Sequence, residues 1–479
     1  MNRKKVLNIL GHILQTVGAL MALPLICALT FGERDWIYFF AVGAVAVLFG
    51  TLLTLIKPKD HVIYAKEGYV IVATSWLVMS AIGALPFVLS RQIPNYVDAF
   101  FETVSGFTTT GASILPNVEV LSKSMHFWRS FTHWLGGMGV LVFILAIIPN
   151  VSERSIHIIR AEMPGPVVDK LVPKAKDTAK ILYLIYIGMT LAEVIMLFAG
   201  GMSFYESLVL SFGTAGTGGF AVLSTSIGSY SVYSQWVIGV FMVLFGVNFN
   251  LYYLLFLRRS VNAFKSSELW TYLSIVLVST GIITANVYKI YGAFGTAVRN
   301  SFFQVASIIS TTGYSTVDFN MWPGLSKGML LTIMIIGACA GSTAGGIKVS
   351  RVVMLFKIIS REFKRLLHPR SVSVVKVDGK TVGDDVCSSV LVYLAVYVLC
   401  FVFIFLLLSF EPFDIETNIS ATAACFNNIG PGFSVVGPAG SYAAYSAFSK
   451  ILLSLGMLLG RLEIFPLLLL FLPSTWLKD

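Results

Sequence analysis

Charged residues are scarce in this sequence of 479 residues. Asp, Glu, Lys and Arg make up 12% of it, whereas hydrophobic residues make up 56%. Soluble domains carry about 25% charged residues, so the composition excludes a chain that covers itself with a wetted surface. Ten apolar stretches have roughly the 20 residues that a helix needs to cross a bilayer. The sequence predicts an all-α polytopic membrane protein with ten transmembrane helices, at 6–31, 36–56, 69–89, 131–148, 181–202, 236–257, 269–287, 329–347, 386–410 and 451–472.

Cysteine and histidine are also few, with five and six copies. The cysteines show no spacing typical of a metal site and lie mainly in apolar context, which suits inert packing. A polytopic membrane enzyme needs clustered His, Asp, Glu or Cys side chains for its chemistry. The scattered histidines argue against that class, and we expect neither an enzyme nor an organic cofactor on this chain.

Acidic residues are outnumbered by basic ones, 24 to 34, which gives a net charge of +10. With the N-terminus in the cytoplasm, 25 of the basic residues fall in cytoplasmic segments and 8 fall outside. Positively charged loops stay in the cytoplasm. We therefore predict a multi-pass protein of the cytoplasmic (inner) membrane with both termini inside. The positive charge reflects this topology and an attraction to anionic membrane lipid, and it is no argument for nucleic acid as a partner.

Four glycines recur along the chain, each near the end of a short semi-polar segment between two apolar stretches. They are Gly111 in FTTTGAS, Gly218 in GTAGTGGF, Gly313 in STTGYST and Gly430 in NNIGPGF, at intervals of 107, 95 and 117 residues. The helical part of each segment is too short to cross the membrane. Each segment must therefore enter and leave by the same face, and every repeat begins on the same side.

This pattern predicts four parallel helix–pore loop–helix repeats around one central pore, related by an axis along the membrane normal. Inverted repeats would need an odd number of crossings per repeat. The predicted units are residues 1–60 for a leading two-helix addition, followed by repeats at 61–150, 175–265, 266–365 and 380–479.

The glycine segments have the chemistry of a potassium filter. Rings of main-chain carbonyls replace the hydration shell of a potassium ion without adding net charge. Carbonyls that point at one axis need backbone angles that glycine permits, and β-branched neighbours stiffen the chain before it. Because loop two has three glycines and loop four has Asn428 and Pro431, we expect these loops to be looser than the others. The predicted potassium-binding residues are Thr109, Thr110, Gly111, Thr217, Gly218, Thr311, Thr312, Gly313, Asn428, Ile429 and Gly430.

Two further features fall below the predicted filter. Residues 337–346, GACAGSTAGG, are too rich in glycine to favour a continuous helix, so we predict a break that forms a flexible gate, with close helix packing as the alternative. Arg461 lies in the last apolar stretch, where a charge is costly unless it faces water or a partner. It either faces the pore and limits cation occupancy or forms an internal salt bridge. The predicted gate residues are Gly337, Gly341, Ser342, Thr343, Gly345, Gly346 and Arg461.

Together these motifs resemble the TrkH-type membrane subunits of the Trk/Ktr/HKT superfamily of potassium transporters. The motifs that carry the resemblance are SGFTTTGAS, HWLGGMGVLVFILAIIP, ASIISTTGYST, GACAGSTAGGIKVSR, NNIGPGF and LLGRLEI, and the similarity covers essentially the whole chain. The resemblance implies a homodimer in which each protomer holds its own pore, with residues 337–346 as an intramembrane gate. It also implies that a cytosolic nucleotide-binding ring of the TrkA type docks on the basic inner face.

Two modes of transport remain open. Channel-like potassium uptake would run down the membrane potential, which supplies about 2.3 kcal/mol per charge per 100 mV. A proton- or sodium-coupled potassium symporter is the alternative. It would normally need titratable groups or a second ion site at mid-membrane, for which Glu193 and Arg461 are the candidates.

Overall fold

The structure is a computed structural model that describes residues 2–56, 65–139, 175–257, 260–371 and 373–476. Within these ranges the chain forms helices and loops, with one two-stranded antiparallel hairpin that pairs Lys376–Val377 with Lys380–Thr381. The predicted all-α fold is confirmed. In the described ranges six helices are long and apolar enough to cross a bilayer: Arg3–Thr30, Trp36–Thr54, Lys66–Leu89, Asp177–Ala199, Ser267–Tyr291 and Asp384–Leu408.

The first two of these helices pack against each other through glycines. Arg3–Thr30 consists of Arg3–Leu20 and Ala22–Thr30. A Cβ added to Gly11 would lie 2.7 Å from the carbonyl oxygen of Gly50, and one added to Gly18 would lie 2.7 Å from that of Gly43. Small residues let two membrane helices approach this closely. The pair therefore forms its own close-packed unit ahead of the remaining helices in the chain.

After this pair the same order of elements recurs four times: an outer helix, a short helix and an inner helix. The outer helices are Ala65–Gly83 with its continuation Leu85–Leu89, then Ala175–Ala199, Ser267–Tyr291 and Asp384–Leu408. The short helices are Tyr96–Phe107, Phe204–Gly216, Phe294–Ile309 and Ile415–Phe426. The inner helices are Lys123–Gly137, Val232–Phe245, Gly324–Ile336 and Ala447–Arg461. Each short helix runs into one of the glycine loops.

The inner helices are shorter than predicted. They have 15, 14, 13 and 15 residues, or about 20 Å at 1.5 Å per residue, against a hydrocarbon core of about 30 Å. The second inner helix bends by 94° into Phe249–Phe256. The fourth ends at a turn where Glu463 and Ile464 both have positive φ. The predicted spans at 236–257 and 451–472 are therefore each interrupted by a bend that apolar length does not indicate.

The third inner helix ends at Ile336, with Gly337 as its C-cap, and the next helix, Val349–Leu367, begins thirteen residues after Ile336. The predicted break within 337–346 is thus confirmed. The first inner helix ends at Gly137. Several predictions fall outside the described residues. They are the remainder of the predicted span 131–148, the predicted unit limits at 60 and 150, and the cytoplasmic placement of basic residues such as Lys57 and Arg154. The chain continues after the fourth inner helix with Phe465–Phe471 and Pro473–Trp476.

Ion pairs join neighbouring repeats at the start of two short helices. Lys450 on the fourth inner helix contacts Asp98 on the first short helix at 2.6 Å. Lys327 on the third inner helix contacts Glu416 on the fourth short helix at 2.5 Å. In both pairs the inner helix of one repeat meets the short helix of the next, and the fourth repeat meets the first. The repeats therefore follow one another around a closed circle.

Candidate ion filter and gate

The four loops that follow the short helices meet at one open cavity. Its lining includes one glycine from each loop, at positions 111, 219, 313 and 430, together with Arg129 and Tyr442. These glycines are separated by about 100 residues in the chain, and the fold brings them to a single place. The recurrence in the sequence therefore reflects one shared site rather than four separate loops.

Each loop begins with the same turn. In every loop one backbone N–H donates to the carbonyl five residues earlier, over an N···O distance of 2.8 Å; the donors are Thr110, Gly218, Thr312 and Ile429. The residue just before each donor is left-handed, with φ between 55° and 58°: Thr109, Thr217, Thr311 and Asn428. This is the Schellman way of ending a helix. Left-handed non-glycine residues are strained, and such strain concentrates at functional sites.

This geometry corrects the predicted register of loop two. A glycine with positive φ stands two residues after each left-handed residue, at Gly111, Gly219, Gly313 and Gly430. The glycine of loop two that corresponds to the others is therefore Gly219, and Gly218 takes the place of Thr110. The prediction matched the first Thr-Gly pair, whereas the shared pattern is Thr-x-Gly or its Asn variant. Gly219 was missed, and this spacing would have found it.

The loops close into a ring through contacts between glycine and carbonyl. A Cβ added to each of these four glycines would collide with a carbonyl oxygen of the adjacent loop. The distance from the added Cβ to the carbonyl oxygen is 2.0 Å for Gly111 and Gly218, 2.0 Å for Gly219 and Thr312, 2.0 Å for Gly313 and Ile429, and 2.6 Å for Gly430 and Thr110. Each position therefore requires glycine for two reasons: its φ is positive, and a side chain would collide with the carbonyl oxygen of the adjacent loop. The chain of contacts returns to its starting loop.

Side chains fix loops one, three and four. The hydroxyls of Thr108 and Thr110 lie 2.8 Å apart, and Ser310 and Thr312 form the corresponding pair at 2.7 Å. In loop four, the Asn428 amide donates to Thr110 Oγ1 at 3.0 Å and to the carbonyl oxygen of Met457 at 2.9 Å. The asparagine of loop four, a loop that the sequence predicts to be loose, thus holds this loop to loop one and to the fourth inner helix.

Tyrosines outside the predicted filter also hold the loops. The hydroxyl of Tyr442 donates to the carbonyl of Gly430 at 2.8 Å. The hydroxyl of Tyr314, in loop three, reaches Phe220 in loop two at 3.2 Å. Both tyrosines are buried. Sequence reasoning missed their roles, since an isolated tyrosine near an apolar stretch gives no signal of its partner.

The segment between the third inner helix and Val349–Leu367 folds into a compact loop, which we call the gate loop (residues 337–348). Its two ends are held together by backbone hydrogen bonds from Lys348 to Ile336 at 2.9 Å and from Val349 to Ala338 at 3.0 Å. A Cβ on Gly346 would lie 2.9 Å from the Cα of Gly337. The predicted gate glycines therefore form a tight neck, where larger residues would not fit.

The gate loop fills the bend of the second inner helix. Cys339 donates its N–H to Gly246 at 3.1 Å, and Phe249 donates to Gly341 at 3.0 Å. Ser342 bonds back to Cys339 at 2.6 Å within the loop. Unpaired backbone N–H and carbonyl groups are costly at membrane depth. Here the gate loop and the bend of the second inner helix pair such groups with each other. The bend and the gate loop thus form one packed unit.

The gate loop also touches loop three and Arg461. The N–H of Gly345 donates to Thr311 Oγ1 at 2.7 Å. Arg461 is 8% exposed; its guanidinium donates to the carbonyl oxygens of Thr343 at 2.7 Å, Gly136 at 2.5 Å and Gly137 at 2.6 Å. Arg461 therefore bridges the gate loop to the end of the first inner helix. Charged side chains inside the membrane commonly pair with backbone carbonyls in this way.

Carboxylates hold both flanks of the gate loop. Glu268 accepts hydrogen bonds from the N–H groups of Ala340 at 2.7 Å and Ser350 at 3.1 Å. Glu463 forms an ion pair with Arg351, the third residue of the helix that follows the loop. The loop is thus anchored to the third outer helix on one side and to the turn after the fourth inner helix on the other.

Known proteins resemble this chain over its whole length. The TrkH family, described as cation transport protein, matches residues 37–478. The Trk system potassium uptake protein TrkH of Salmonella typhimurium is 34% identical over 484 residues, which cover 99% of this chain and 100% of that protein. TrkG of Escherichia coli, also named a Trk system potassium uptake protein, is 32% identical, with 98% of each covered.

A solved structure agrees with these relatives. The crystal structure of the potassium transporter TrkH from Vibrio parahaemolyticus has a TM-score of 0.89 to this chain, with 31% identity and complete coverage of both chains. With its apolar helices, the protein is a multi-pass protein of the inner membrane. The chain belongs to the TrkH family of cation transport proteins.

Proposed function

We propose that this protein takes up potassium ions through the ring formed by its four loops. The observation that carries the proposal is the closed cycle in which a carbonyl of each loop lies against a glycine of the next, beside one open cavity. Rings of carbonyls are how filters replace the water around potassium. The names of the relatives, which are potassium uptake proteins, support potassium as the transported substrate.

The residues proposed to form the filter share a place in the four loop turns. They are Thr109, Thr110, Gly111, Thr217, Gly218, Gly219, Thr311, Thr312, Gly313, Asn428, Ile429 and Gly430. The units 61–150, 175–265, 266–365 and 380–479 each supply one quarter. All four short helices end at the ring, so the partial negative charge of their C-termini favours a cation there.

Gating is proposed to reside in the gate loop and Arg461. The loop contacts the filter through Thr311 and the first inner helix through Arg461, so its displacement would reach both. In the Trk system to which the relatives belong, we propose a homodimer as the membrane part. A cytosolic nucleotide-binding ring of the TrkA type is proposed to dock on the inner face and move the loop.

Recording currents from the purified protein in planar bilayers tests this function. Uncoupled uptake requires a potassium current that persists without sodium, and a reversal potential that follows the potassium gradient and stays fixed when a pH gradient is added. A coupled symporter would show a reversal potential that moves with the proton or sodium gradient. Absence of any potassium current would contradict both modes. Since the family is one of transport proteins, the protein is not an enzyme.

A further inference from the structure

We propose that His133 is a positioning and specificity-determining residue of the filter, paired with the glycine at position 218. The imidazole of His133 fills the space that a side chain takes up in the other three loops. It also holds loop two by accepting a hydrogen bond from a backbone N–H of that loop. The inference deepens the proposed function, on which it rests, and adds a residue outside the loops to the determinants of ion selectivity.

The imidazole of His133 connects two repeats. His133 lies on the first inner helix and is fully buried. Its Nδ1 is 2.8 Å from the carbonyl oxygen of Gly106 in the first short helix, and its Nε2 accepts the N–H of Phe220 in loop two at 3.3 Å. Since a backbone N–H donates to Nε2, the proton must be on Nδ1, which donates to Gly106. Both ring nitrogens are thus used in a neutral imidazole.

The side chain also accounts for the glycine at position 218. The φ of Gly218 lies outside the left-handed region, so its backbone angle does not require glycine. A Cβ there would instead lie 2.3 Å from Cγ and Nδ1 of His133. The corresponding residues of the other loops, Thr110, Thr312 and Ile429, all have a branched side chain. Loop two therefore lacks a side chain where the imidazole stands.

The other inner helices show the reverse arrangement. His133 is the eleventh residue after the helix N-cap Ser122. The eleventh residue after each of the other three N-caps is a fully buried methionine: Met242, Met334 and Met457. Met334 belongs to the same apolar cluster as Ile429. Methionine adapts its shape to a branched neighbour, whereas the planar imidazole needs the space beside glycine.

The consequence for selectivity follows from the ring. The carbonyl oxygen of Gly218 is the one that lies against Gly111, and glycine leaves that part of loop two without a side chain to restrict it. The hydrogen bond from Phe220 to His133, two residues further on, replaces this restriction. Loss of the imidazole would leave a buried N–H unpaired and loosen one quarter of the ring while three remain fixed.

Four proteins test the pairing: wild type, G218T, H133M and the double variant H133M/G218T. Each is examined by gel filtration, by thermal unfolding in detergent and by bilayer recording of the potassium current and the sodium-to-potassium permeability ratio. We expect G218T to unfold at a lower temperature or to fail to fold, because overpacking a tight site is destabilising. The double variant should regain folding and potassium current, since it reproduces the Met and Thr found in repeat three.

H133M alone keeps the native glycine, and we expect it to fold and to raise the sodium-to-potassium permeability ratio about tenfold, the effect of roughly 1.4 kcal/mol. H126M, which replaces another buried histidine of the same helix, is the control and should leave the ratio unchanged. A wild-type ratio in folded H133M, or a double variant no better than G218T, would overturn the proposal. A wild type without potassium current would overturn the proposed function instead, and thermal unfolding would still test the pairing.

Discussion

Arg461 donates a 2.7 Å hydrogen bond to the carbonyl oxygen of Thr343, and this contact joins the last inner helix to the middle of the gate loop. The same guanidinium holds two carbonyls at the end of the first inner helix. Removing the guanidinium leaves those carbonyls without their cation and removes the bond between the gate loop and the fourth inner helix. We expect R461A to raise the potassium current of the reconstituted protein.

The lysine variant is the matched control for this prediction. R461K keeps the charge but loses the planar fork that reaches three carbonyls at once, so its current should lie between those of wild type and R461A. Thermal unfolding of each variant shows whether the fold is retained. A folded R461A with wild-type current would place the closure of the pathway elsewhere.

A second prediction concerns the link between gate loop and filter. The Oγ1 of Thr311 accepts the N–H of Gly345 at 2.7 Å, and valine has the same shape without the hydroxyl. T311V should loosen the gate loop and raise the potassium current by about tenfold, as one buried hydrogen bond of about 1–1.5 kcal/mol allows. T109V is the control, because Thr109 has the same turn but its Oγ1 has no hydrogen-bond partner in the described part of the chain.

The two valine variants should therefore separate. An increase in current for both would mean that the turn itself, and not the contact with Gly345, controls the pathway. Equal currents in T311V and wild type would rule out the proposed link.

A third prediction tests the ring. At Gly313, φ is 85° and a Cβ would lie 2.0 Å from the carbonyl oxygen of Ile429. G313S should push that carbonyl aside and degrade the selectivity for potassium over sodium, measured as a permeability ratio. Gly281, on the third outer helix, has room for a Cβ within the described structure, with no atom nearer than 4 Å. G281S should keep the wild-type ratio, and an unchanged ratio in both variants would contradict the filter assignment.

The sequence predicted the four loops because glycine at a fixed place in each repeat reflects a backbone requirement that is local. Local composition located the gate loop for the same reason, since the ten consecutive small residues at 337–346 disfavour a helix. The bends near Gly246 and Glu463 were missed. Each of them depends on a contact with a distant segment, such as the hydrogen bond from Cys339 to Gly246, which apolar length alone does not record.

Loop two shows a similar limit. Its Gly218 matched the other glycines by composition, but its neighbour His133 lies 85 residues earlier in the chain. The imidazole of His133, on the first repeat, leaves no room for a side chain at position 218 on the second. The sequence around either residue gives no sign of this contact. Asn428 shows the same limit, because its partner Thr110 lies 318 residues away in the chain and the sequence around loop four predicts only a loose loop.

The ion pair between Arg351 and Glu463 gives the last prediction. Their side chains are 6% and 16% exposed, and the guanidinium lies 3.8 Å above the ring of Tyr393. Removing one partner of a fully buried pair leaves an uncompensated charge and costs about 3–5 kcal/mol. Since Glu463 is partly exposed, E463Q should lose less than this and still unfold at a clearly lower temperature. E362Q breaks an exposed pair with Arg365 on the same helix and should have little effect, since such pairs contribute about 0–1 kcal/mol.

The double variant R351M/E463Q separates stability from gating. It removes both charges, so most of the lost stability should return. The helix Val349–Leu367 follows the gate loop directly, and the ion pair ties it to the turn that follows Arg461. If that tie keeps the loop closed, the double variant will be stable and still pass more potassium than wild type. A stable double variant with wild-type current would limit this ion pair to a structural role and leave the closure of the loop to its other contacts, among them those of Arg461 and Glu268.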